Sequence, residues 1–310
     1  MKTVITGGAG FLGCKLSAGL LARDAPSKII CIDQAAPAVP VPGVTYVQGD
    51  ICEPGAFDAL IPHDTTSIFH LAAVVSSQAE VEFDLGLKVN LDATRALLER
   101  CRKLDAPPRF IFASSVAAFG VAPPIVDDDT PARPVNSYGV EKVIGEYLVG
   151  EFARRGFVDG RCFRLPTIVI RPGAPNKAAS SFASSILREP LQGQPCVCPV
   201  SEDLAIWIQS PRAVIANLIH GHDLPADAWQ EGLRVLNLPG ITVTVAEMVA
   251  GLEKVGGVSG LISWERDETI EAIVGSWPKG MKTARATKLG FKADKNIDAI
   301  IRIFLEDETD

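Results

Sequence analysis

Short apolar runs and stretches of helical periodicity alternate along the first 170 residues of the chain. The runs are rich in Val, Ile and Phe and end at glycine or polar residues, which predicts buried strands. The predicted strands are Val4–Thr6, Ile29–Asp33, Val44–Gln48, Ser67–Ala73, Arg109–Ala113 and Arg161–Ile170. Between them, apolar residues recur at helical spacing, as at Leu87, Leu91, Leu97 and Leu98. Strands that alternate with helices in this way predict an α/β fold with a parallel, doubly wound sheet of the Rossmann type.

A change of pattern after Ile170 marks a second part of the chain. Proline and glycine punctuate Arg171–Asn176, and a helix is predicted over Ala178–Leu187. Further predicted elements are a strand at Val235–Leu238, a helix that begins at a Thr244–Glu247 capping box and continues to Val255, and a strand at Ile262–Trp264. We therefore expect a nucleotide-binding domain over residues 1–170, rejoined by about residues 205–222, and a smaller mixed α/β substrate-binding part over residues 171–310.

A glycine-rich turn connects the first predicted strand to the first predicted helix. Gly7 permits the tight bend, Gly10 lets the backbone approach a pyrophosphate, and Gly13 lets the helix lie close to the strand. The helix N-terminus presents free N–H groups and a partial positive charge to that pyrophosphate. Asp33 ends the second strand about 20 residues later, where an acid binds the ribose hydroxyls of NAD. The turn is therefore predicted to bind this dinucleotide.

Composition and charge narrow the classes of partner. The chain has 310 residues, of which 47% are apolar and 22% charged, as in an ordinary globular protein. A formal net charge of −7 gives no electrostatic reason to expect nucleic acid or an anionic membrane as a partner. The first strand begins within a few residues of the N-terminus, and no apolar run approaches the length of a membrane span. We expect a cytoplasmic protein with a small-molecule substrate.

The seven cysteines form no CxxC pair, and most of them lie inside apolar runs. This placement predicts buried thiols rather than disulfides. Cys196 and Cys198 are close in sequence, but no histidine or second pair accompanies them, so no metal site is predicted.

Three side chains carry candidate chemistry. Ser115 follows the fifth predicted strand, at the sheet edge where ligands bind in open α/β sheets, and Tyr138 and Lys142 are four residues apart on the following helix. Oxidation of an alcohol needs a base, and the ordinary pKa of tyrosine, about 10, is too high for that role at neutral pH. A lysine cation nearby, together with the positive ring of the cofactor, would lower the pKa of the phenol, and Ser115 would orient the reacting oxygen. Taken alone, the Tyr-x-x-x-Lys pair is also compatible with a chance pair on a helix surface.

Several motifs together resemble the extended short-chain dehydrogenase/reductase family, which includes NAD-dependent nucleotide-sugar epimerases and dehydratases. They are Thr6–Gly13, His70–Ala73, Asn90, Ser114-Ser115 with Phe119-Gly120, and Tyr138–Lys142. The resemblance spans the whole chain and implies that Ser115, Tyr138 and Lys142 are catalytic. The family pattern places the serine five positions before the glycine, which selects Ser115 rather than Ser114. Phe119 replaces the tyrosine that is usual in the family.

The resemblance also implies how NAD is held. Asp33 and Asp50-Ile51 would bind the adenosine half, and Lys142 would bind the nicotinamide ribose. The full set of implied cofactor residues is Gly7, Gly10, Phe11, Leu12, Asp33, Asp50, Ile51, Leu71, Ala72, Ala73, Asn90, Tyr138, Lys142 and Pro166.

The second half resembles a subgroup of the family that oxidises a four-carbon sugar acid at C2 with NAD, giving a 2-oxo acid. The segments that carry this resemblance are Arg164–Gly173, Pro175–Phe182, Arg188–Leu191 and Ser210–Arg212. The expected substrate contacts are Ser76, Ser115, Thr167, Arg171, Asn176, Ser181, Trp207 and Arg212. A small hydroxy acid requires a cation and several hydroxyl or amide groups, which this set offers. The two arginines are also compatible with ordinary salt bridges, and His70 is interpreted as a packed residue at a strand end.

Two other functions stay open at this point. An NAD-dependent nucleotide-sugar epimerase or dehydratase would use the same Ser115, Tyr138 and Lys142, whereas a non-catalytic dinucleotide sensor would not need them together. In the resembling family the helices equivalent to Leu87–Cys101 and Tyr138–Phe152 often form a two-fold bundle. We therefore expect a homodimer.

Overall fold

The computed structural model describes residues 1–23, 28–173, 178–229 and 234–308. In these ranges the strands are β1 Lys2–Thr6, β2 Lys28–Asp33, β3 Val44–Gln48, β4 Ser67–His70, β5 Arg109–Ser115, β6 Ile125–Val126, β7 Asp159–Leu165, β8 Thr167–Ile168, β9 Cys196–Cys198, β10 Ala205–Gln209, β11 Val235–Asn237, β12 Ile241–Thr244, β13 Ile262–Trp264 and β14 Gly280–Met281. The α-helices are α1 Phe11–Leu21, α2 Ala56–Leu60, α3 Ser76–Val81, α4 Phe83–Gly86, α5 Ala93–Cys101, α6 Ser137–Arg154, α7 Ser181–Leu191, α8 Pro211–Asp223, α9 Val245–Gly251, α10 Glu268–Gly275, α11 Ala284–Lys288 and α12 Ile297–Glu308. Leu87–Asp92 and Leu252–Gly256 are π-helical.

The main sheet of the described residues has seven strands in the order β11-β7-β5-β4-β1-β2-β3, and all of them are parallel. The strand order reverses between β1 and β4. The loops that follow these two strands therefore run in opposite directions and leave a crevice at the carboxyl ends of the strands. The predicted α/β fold with a parallel, doubly wound sheet is confirmed.

Helices cover both faces of the sheet because its central strands are apolar on both sides. On one face, Ile5 and Phe69 pack with Leu16 of α1 and Leu218 of α8. On the other face, apolar residues of β1 and β5 pack with residues of α2, α5 and α6. The two cores hold the strand ends rigidly, which fixes the positions of the loops that follow them.

The predicted strand Arg161–Ile170 is two strands in the structure. β7 belongs to the main sheet, whereas β8 pairs with β10 in a separate three-stranded sheet that also contains β12. Pro166 separates them, and its missing backbone N–H cannot continue the ladder of β7. The chain leaves the main sheet at this point and enters the second part.

The second part builds its own core around the three-stranded sheet. Ile206, Val243 and Met248 pack there with Ile301 and Phe304 of α12. The predicted capping box is confirmed, since Thr244 and Glu247 exchange both hydrogen bonds at the start of α9. Beyond residue 170 the chain also contributes β11 to the main sheet, next to β7, and α8 to the core beside α1. The two-part division at residue 170 stays a prediction.

In the described ranges we find no helix with the length and apolar character required to cross a membrane.

Candidate active site

The glycine turn brings the ends of β1 and β4 into close contact. Gly7 has φ +69°, and a Cβ atom there would lie 2.7 Å from the backbone nitrogen of Ala72. A Cβ on Gly13 would lie 2.4 Å from the carbonyl oxygen of Gly7, so only glycine lets α1 approach the turn this closely. The N-terminus of α1 has no side-chain cap and no acidic residue in its first turn. Its N–H groups are therefore available to a pyrophosphate.

The adenosine end of the crevice is a cavity of about 400 Å³. Its wall includes the predicted cofactor residues Gly7, Gly10, Asp33, Ile51, Leu71, Ala72 and Ala73. The Asp33 carboxylate accepts hydrogen bonds from the N–H groups of Ala9, at 3.1 Å, and Gln34, at 2.8 Å. The predicted residue Asp50 is not part of this wall; its carboxylate accepts a hydrogen bond from the Cys52 N–H at 2.9 Å, which lowers the pKa of Asp50.

A second cavity, of about 280 Å³, continues from the first one past Gly7, Gly10, Leu71 and Ala73, which line both. Its wall also contains Phe11, Leu12, Ser115, Tyr138, Lys142, Pro166 and Arg171. The uncapped helix, the open glycine turn and the acid at the end of β2 fit the pyrophosphate and ribose of NAD. The second cavity is the one that would hold its nicotinamide end, beside Tyr138 and Lys142.

Ser115, Tyr138 and Lys142 meet in this second cavity, as predicted from the sequence. Ser115 is the last residue of β5, and its Oγ accepts a hydrogen bond from the Ala117 N–H at 3.1 Å. The Asn136 side chain caps α6 by accepting from the Gly139 N–H at 2.8 Å, which fixes the turn that carries Tyr138.

Burial dominates the electrostatics of Tyr138 in the free protein. Burial raises the pKa of Tyr138 to about 12, while the Arg171 guanidinium and the hydrogen bond with Ser115 act to lower it. The prediction that Lys142 and the positive ring of the cofactor together lower the pKa of the phenol concerns the complex with NAD, and it stays a prediction. Desolvation exceeds the effect of the nearby charges, and the cation that opposes it is Arg171.

Lys142 is buried on the same face of α6. Its ammonium lies 4.9 Å from the ring centroid of Phe112 and 5.5 Å from that of Tyr138. Burial lowers the pKa of Lys142 to about 8, although Glu141 and Glu146 act to raise it. Sequence reasoning missed Phe112, which supports the ammonium through its ring face; its only sequence signal is its position in the apolar run of β5.

His70 is a packed residue, in agreement with its interpretation from sequence. Its ring nitrogens lie 2.6 Å from Thr6 Oγ1 and 2.9 Å from Thr94 Oγ1. The Thr94 hydroxyl donates to the Asn90 carbonyl oxygen, so it accepts from His70 Nε2. Burial lowers the pKa of His70 to about 3, and the imidazole is neutral and fully bonded. It cannot serve as a base toward a ligand in the cavity.

Arg171 is the predicted substrate residue that faces the reacting groups. It lies in the wall of the cavity that contains Ser115 and Tyr138. With the carboxylates of the described residues it forms no ion pair, and burial lowers its pKa. A partly buried guanidinium with no carboxylate partner among the described residues is suited to bind an anionic group of a ligand.

Two of the other predicted substrate residues have structural roles instead. Trp207 is buried in the core of the second part, and its indole N–H points to the Leu238 carbonyl oxygen at 3.4 Å. Arg212 lies on α8 and pairs with Glu306 and Asp307 of α12 at 2.9 and 2.5 Å. Neither lines the cavity, so we do not carry them forward as substrate contacts.

Ser76, Thr167 and Ser181 are not part of the described wall of the cavity. Thr167 is buried in β8, opposite Ile208 of β10. The Ser76 hydroxyl accepts from the Ala179 N–H at 3.2 Å, and Ser181 begins α7. Asn176 is outside the described residues. The wall contains Val75 and Ile168, which sequence reasoning did not select because apolar residues carry no distinctive motif.

The cysteines are all free thiols, and most are buried. Within the described ranges, no three His, Cys, Asp or Glu side chains lie close enough together to hold a metal ion.

A dinucleotide crevice with a Ser/Tyr/Lys set at its nicotinamide end defines an NAD-dependent enzyme of the short-chain dehydrogenase class. The model of the NAD dependent epimerase/dehydratase family matches residues 3–206, and the chain belongs to this family. The family assigned from the motifs is thereby confirmed.

Relatives cover the chain from end to end. It is 48% identical to the D-erythronate dehydrogenase of Cupriavidus necator, over 99% of this chain and 98% of that protein. The identity to the D-erythronate dehydrogenase of Haemophilus influenzae is 47%, over 99% of both. Among solved structures, a protein named as a nucleoside-diphosphate-sugar epimerase from Agrobacterium tumefaciens has a TM-score of 0.92 and 40% identity, over 100% of this chain and 94% of that one.

Proposed function

We propose that this enzyme oxidises D-erythronate at C2 with NAD, giving 2-dehydro-D-erythronate. Two relatives that are nearly half identical over the full length carry the name D-erythronate dehydrogenase, which supports the proposal. The observation that carries it is the position of Arg171, whose guanidinium shares the cavity with Ser115, Tyr138 and Lys142. A hydroxy acid bound there would pair its carboxylate with Arg171 and bring its C2 hydroxyl toward the phenol.

Residues of this chain would take up the proton that the C2 hydroxyl loses. Tyr138 accepts the proton of the C2 hydroxyl, while Ser115 hydrogen-bonds the same oxygen and holds it in place. The charge of Lys142 stabilises the phenolate that this transfer requires. Bound NAD supplies the acceptor for the hydride that leaves C2. The alcohol thus loses one proton to Tyr138 and one hydride, and becomes a ketone.

The name of the Agrobacterium relative gives a specific reason to consider a nucleotide-sugar epimerase as the alternative. Such a substrate would need space for a nucleotide as well as for the reacting sugar. The cavity at the nicotinamide end is about 280 Å³ and must take both the nicotinamide and the substrate, which favours a small acid. A non-catalytic sensor is disfavoured, since it has no need of Ser115, Tyr138 and Lys142 in one cavity.

The test is a screen of NADH formation with the purified protein. We expect D-erythronate to give a kcat/KM at least about tenfold above other four-carbon sugar acids, and no conversion of UDP-sugars. A UDP-sugar that is epimerised without net NADH formation would establish the alternative. No reaction with any sugar acid would overturn the proposal.

We also propose that the enzyme is a homodimer. On α6, Val140, Ile144 and Tyr147 are 42%, 37% and 65% exposed, and their spacing places them on one face. Phe83 of α4 is 56% exposed as well. Exposed apolar residues in a row along a helix are typical of a surface that a second copy covers.

The cytoplasm is the proposed location. The seven cysteines are all free, and a reducing compartment keeps thiols in that form.

A further inference from the structure

Glu141 is a buried carboxylate that lies in neither cavity wall. It lies next to Lys142 on α6 and is 1% exposed. Its Oε2 accepts a hydrogen bond from Asn90 Nδ2 at 2.5 Å, whereas Oε1 has no hydrogen-bond partner among the described residues. The carboxylate fits only because residue 86 is a glycine: a Cβ atom on Gly86 would lie 2.5 Å from Oε1. Burying a carboxylate with one unpaired oxygen costs free energy, so we expect this residue to have a role other than packing.

Asn90, the hydrogen-bond partner of Glu141, also binds the backbone of Val74. Its Oδ1 accepts from the Val74 N–H at 2.8 Å, and its Nδ2 donates to the Val74 carbonyl oxygen at 2.9 Å. Val74 lines the adenosine cavity, and Ala73 and Val75 line the nicotinamide cavity. Asn90 is thus outside the cavity wall, and it fixes the loop that forms part of both cavities.

The second N–H of the Asn90 amide has one acceptor, which is Glu141. The Asn90 side chain is buried. Loss of the Glu141 acceptor would therefore leave one N–H of the Asn90 amide unpaired or turn the amide away from Val74. The hydrogen bonds therefore form one connection from α6 through Glu141 and Asn90 to Val74.

We propose that Glu141 is a positioning residue: through Asn90 it holds the loop Ala72–Val75 against the helix that carries Tyr138 and Lys142, and so sets the affinity for NAD. The inference concerns cofactor binding and holds for any alcohol substrate.

Two conservative variants separate the hydrogen bond from the charge. Glu141→Asp keeps the charge but is one methylene shorter and cannot reach Asn90, whereas Glu141→Gln keeps an acceptor oxygen and loses the charge. We expect Glu141→Asp to raise the Kd of NADH about tenfold, because Kd rises as the fraction of molecules with a competent loop falls. Glu141→Gln should keep the Kd within about twofold of the wild type, and the kcat of Glu141→Asp, which keeps the charge beside Lys142, should change little at saturating NAD. The Kd is measured by titrating NADH fluorescence.

Gly86→Ala provides an independent variant in case Glu141→Asp does not fold. Alanine favours a helix over glycine, but its Cβ would displace the Glu141 carboxylate, so NADH binding should again weaken. The matched control is Glu151→Asp on the exposed surface of α6, where no change is expected. Equal Kd values for Glu141→Asp and the wild type, or a Glu141→Gln variant as weak as Glu141→Asp, would overturn the proposal.

Discussion

At the scale of single residues, the proposed chemistry depends on the phenol of Tyr138 and on the three groups that surround it. Burial raises its pKa to about 12 in the free protein, and Arg171 and Ser115 act in the opposite direction. A substrate carboxylate that neutralises Arg171 would weaken one of these effects, so the charge of Lys142 becomes more important when substrate is bound. This division of roles explains why two cations lie near one tyrosine.

Replacing Tyr138 by Phe removes the base and leaves the rest of the cavity wall intact. We expect kcat to fall by about 10²–10⁴-fold, the usual contribution of general acid–base catalysis, with the Kd of NADH nearly unchanged. In the wild type, kcat/KM for oxidation should rise from about pH 6 to about pH 8, because the phenolate fraction increases with pH below the pKa of Tyr138, and loss of the Lys142 charge should oppose the rise above about pH 8. The control is Tyr147→Phe, an exposed tyrosine on the same helix. Turnover close to wild type in Tyr138→Phe would show that another group is the base.

At the scale of elements, the unit β1-α1-β2 explains how sequence determines the cofactor site. The turn requires glycine at positions that local sequence shows directly, and Asp33 follows at a distance set by the length of α1 and β2. These features could be predicted because they depend on neighbours in the chain. The carboxylate of Asp33 should accept hydrogen bonds from the ribose hydroxyls and repel a 2′-phosphate.

A preference for NAD over NADP follows from Asp33. We expect kcat/KM to be at least about tenfold higher with NAD, and Asp33→Asn to reduce this ratio, since the amide no longer repels a phosphate. Steady-state rates with both cofactors provide the measurement. Equal values in the wild type would contradict the role given to Asp33.

Long-range contacts explain what the sequence could not show. Arg212 has the same local signals as Arg171, but its partner Asp307 is 95 residues away and becomes visible only in the fold. Trp207 lies in a strand that is buried on both faces, so its side chain packs in the core. The apolar wall residues Val75 and Ile168 and the connection through Glu141 likewise depend on which elements come together. Motifs therefore predicted the groups that are proposed to react, and the structure was needed to find the groups that surround them.

At the scale of the whole molecule, helix α6 has two functional faces. One face is apolar and exposed, and the opposite face carries the proposed catalytic groups. Tyr138 and Lys142 face the cavity, while Ile144 and Tyr147 are exposed. A dimer formed through this surface would restrain the helix that carries the base.

We expect a mass of two chains by light scattering at micromolar concentration. Ile144→Glu places a charge in the proposed contact and should give a monomer, whereas Ile125→Glu changes a more exposed isoleucine, which belongs to β6, and should not. A wild-type protein that is monomeric, or an Ile144→Glu variant that stays dimeric, would rule out this interface.

The most direct test of the whole account compares D-erythronate with erythritol, the four-carbon polyol that lacks the carboxylate. The wild type should prefer D-erythronate in kcat/KM by at least about 10²-fold, since the pairing of a buried guanidinium with a carboxylate contributes about 3 kcal/mol. In Arg171→Met, kcat/KM should fall for D-erythronate and stay the same for erythritol, so most of the preference is lost. Arg212→Met changes an arginine that pairs with Glu306 and Asp307, and this variant should keep the preference. A preference that survives in Arg171→Met would contradict the assignment of Arg171 to the substrate carboxylate, and with it the proposed function of the cavity.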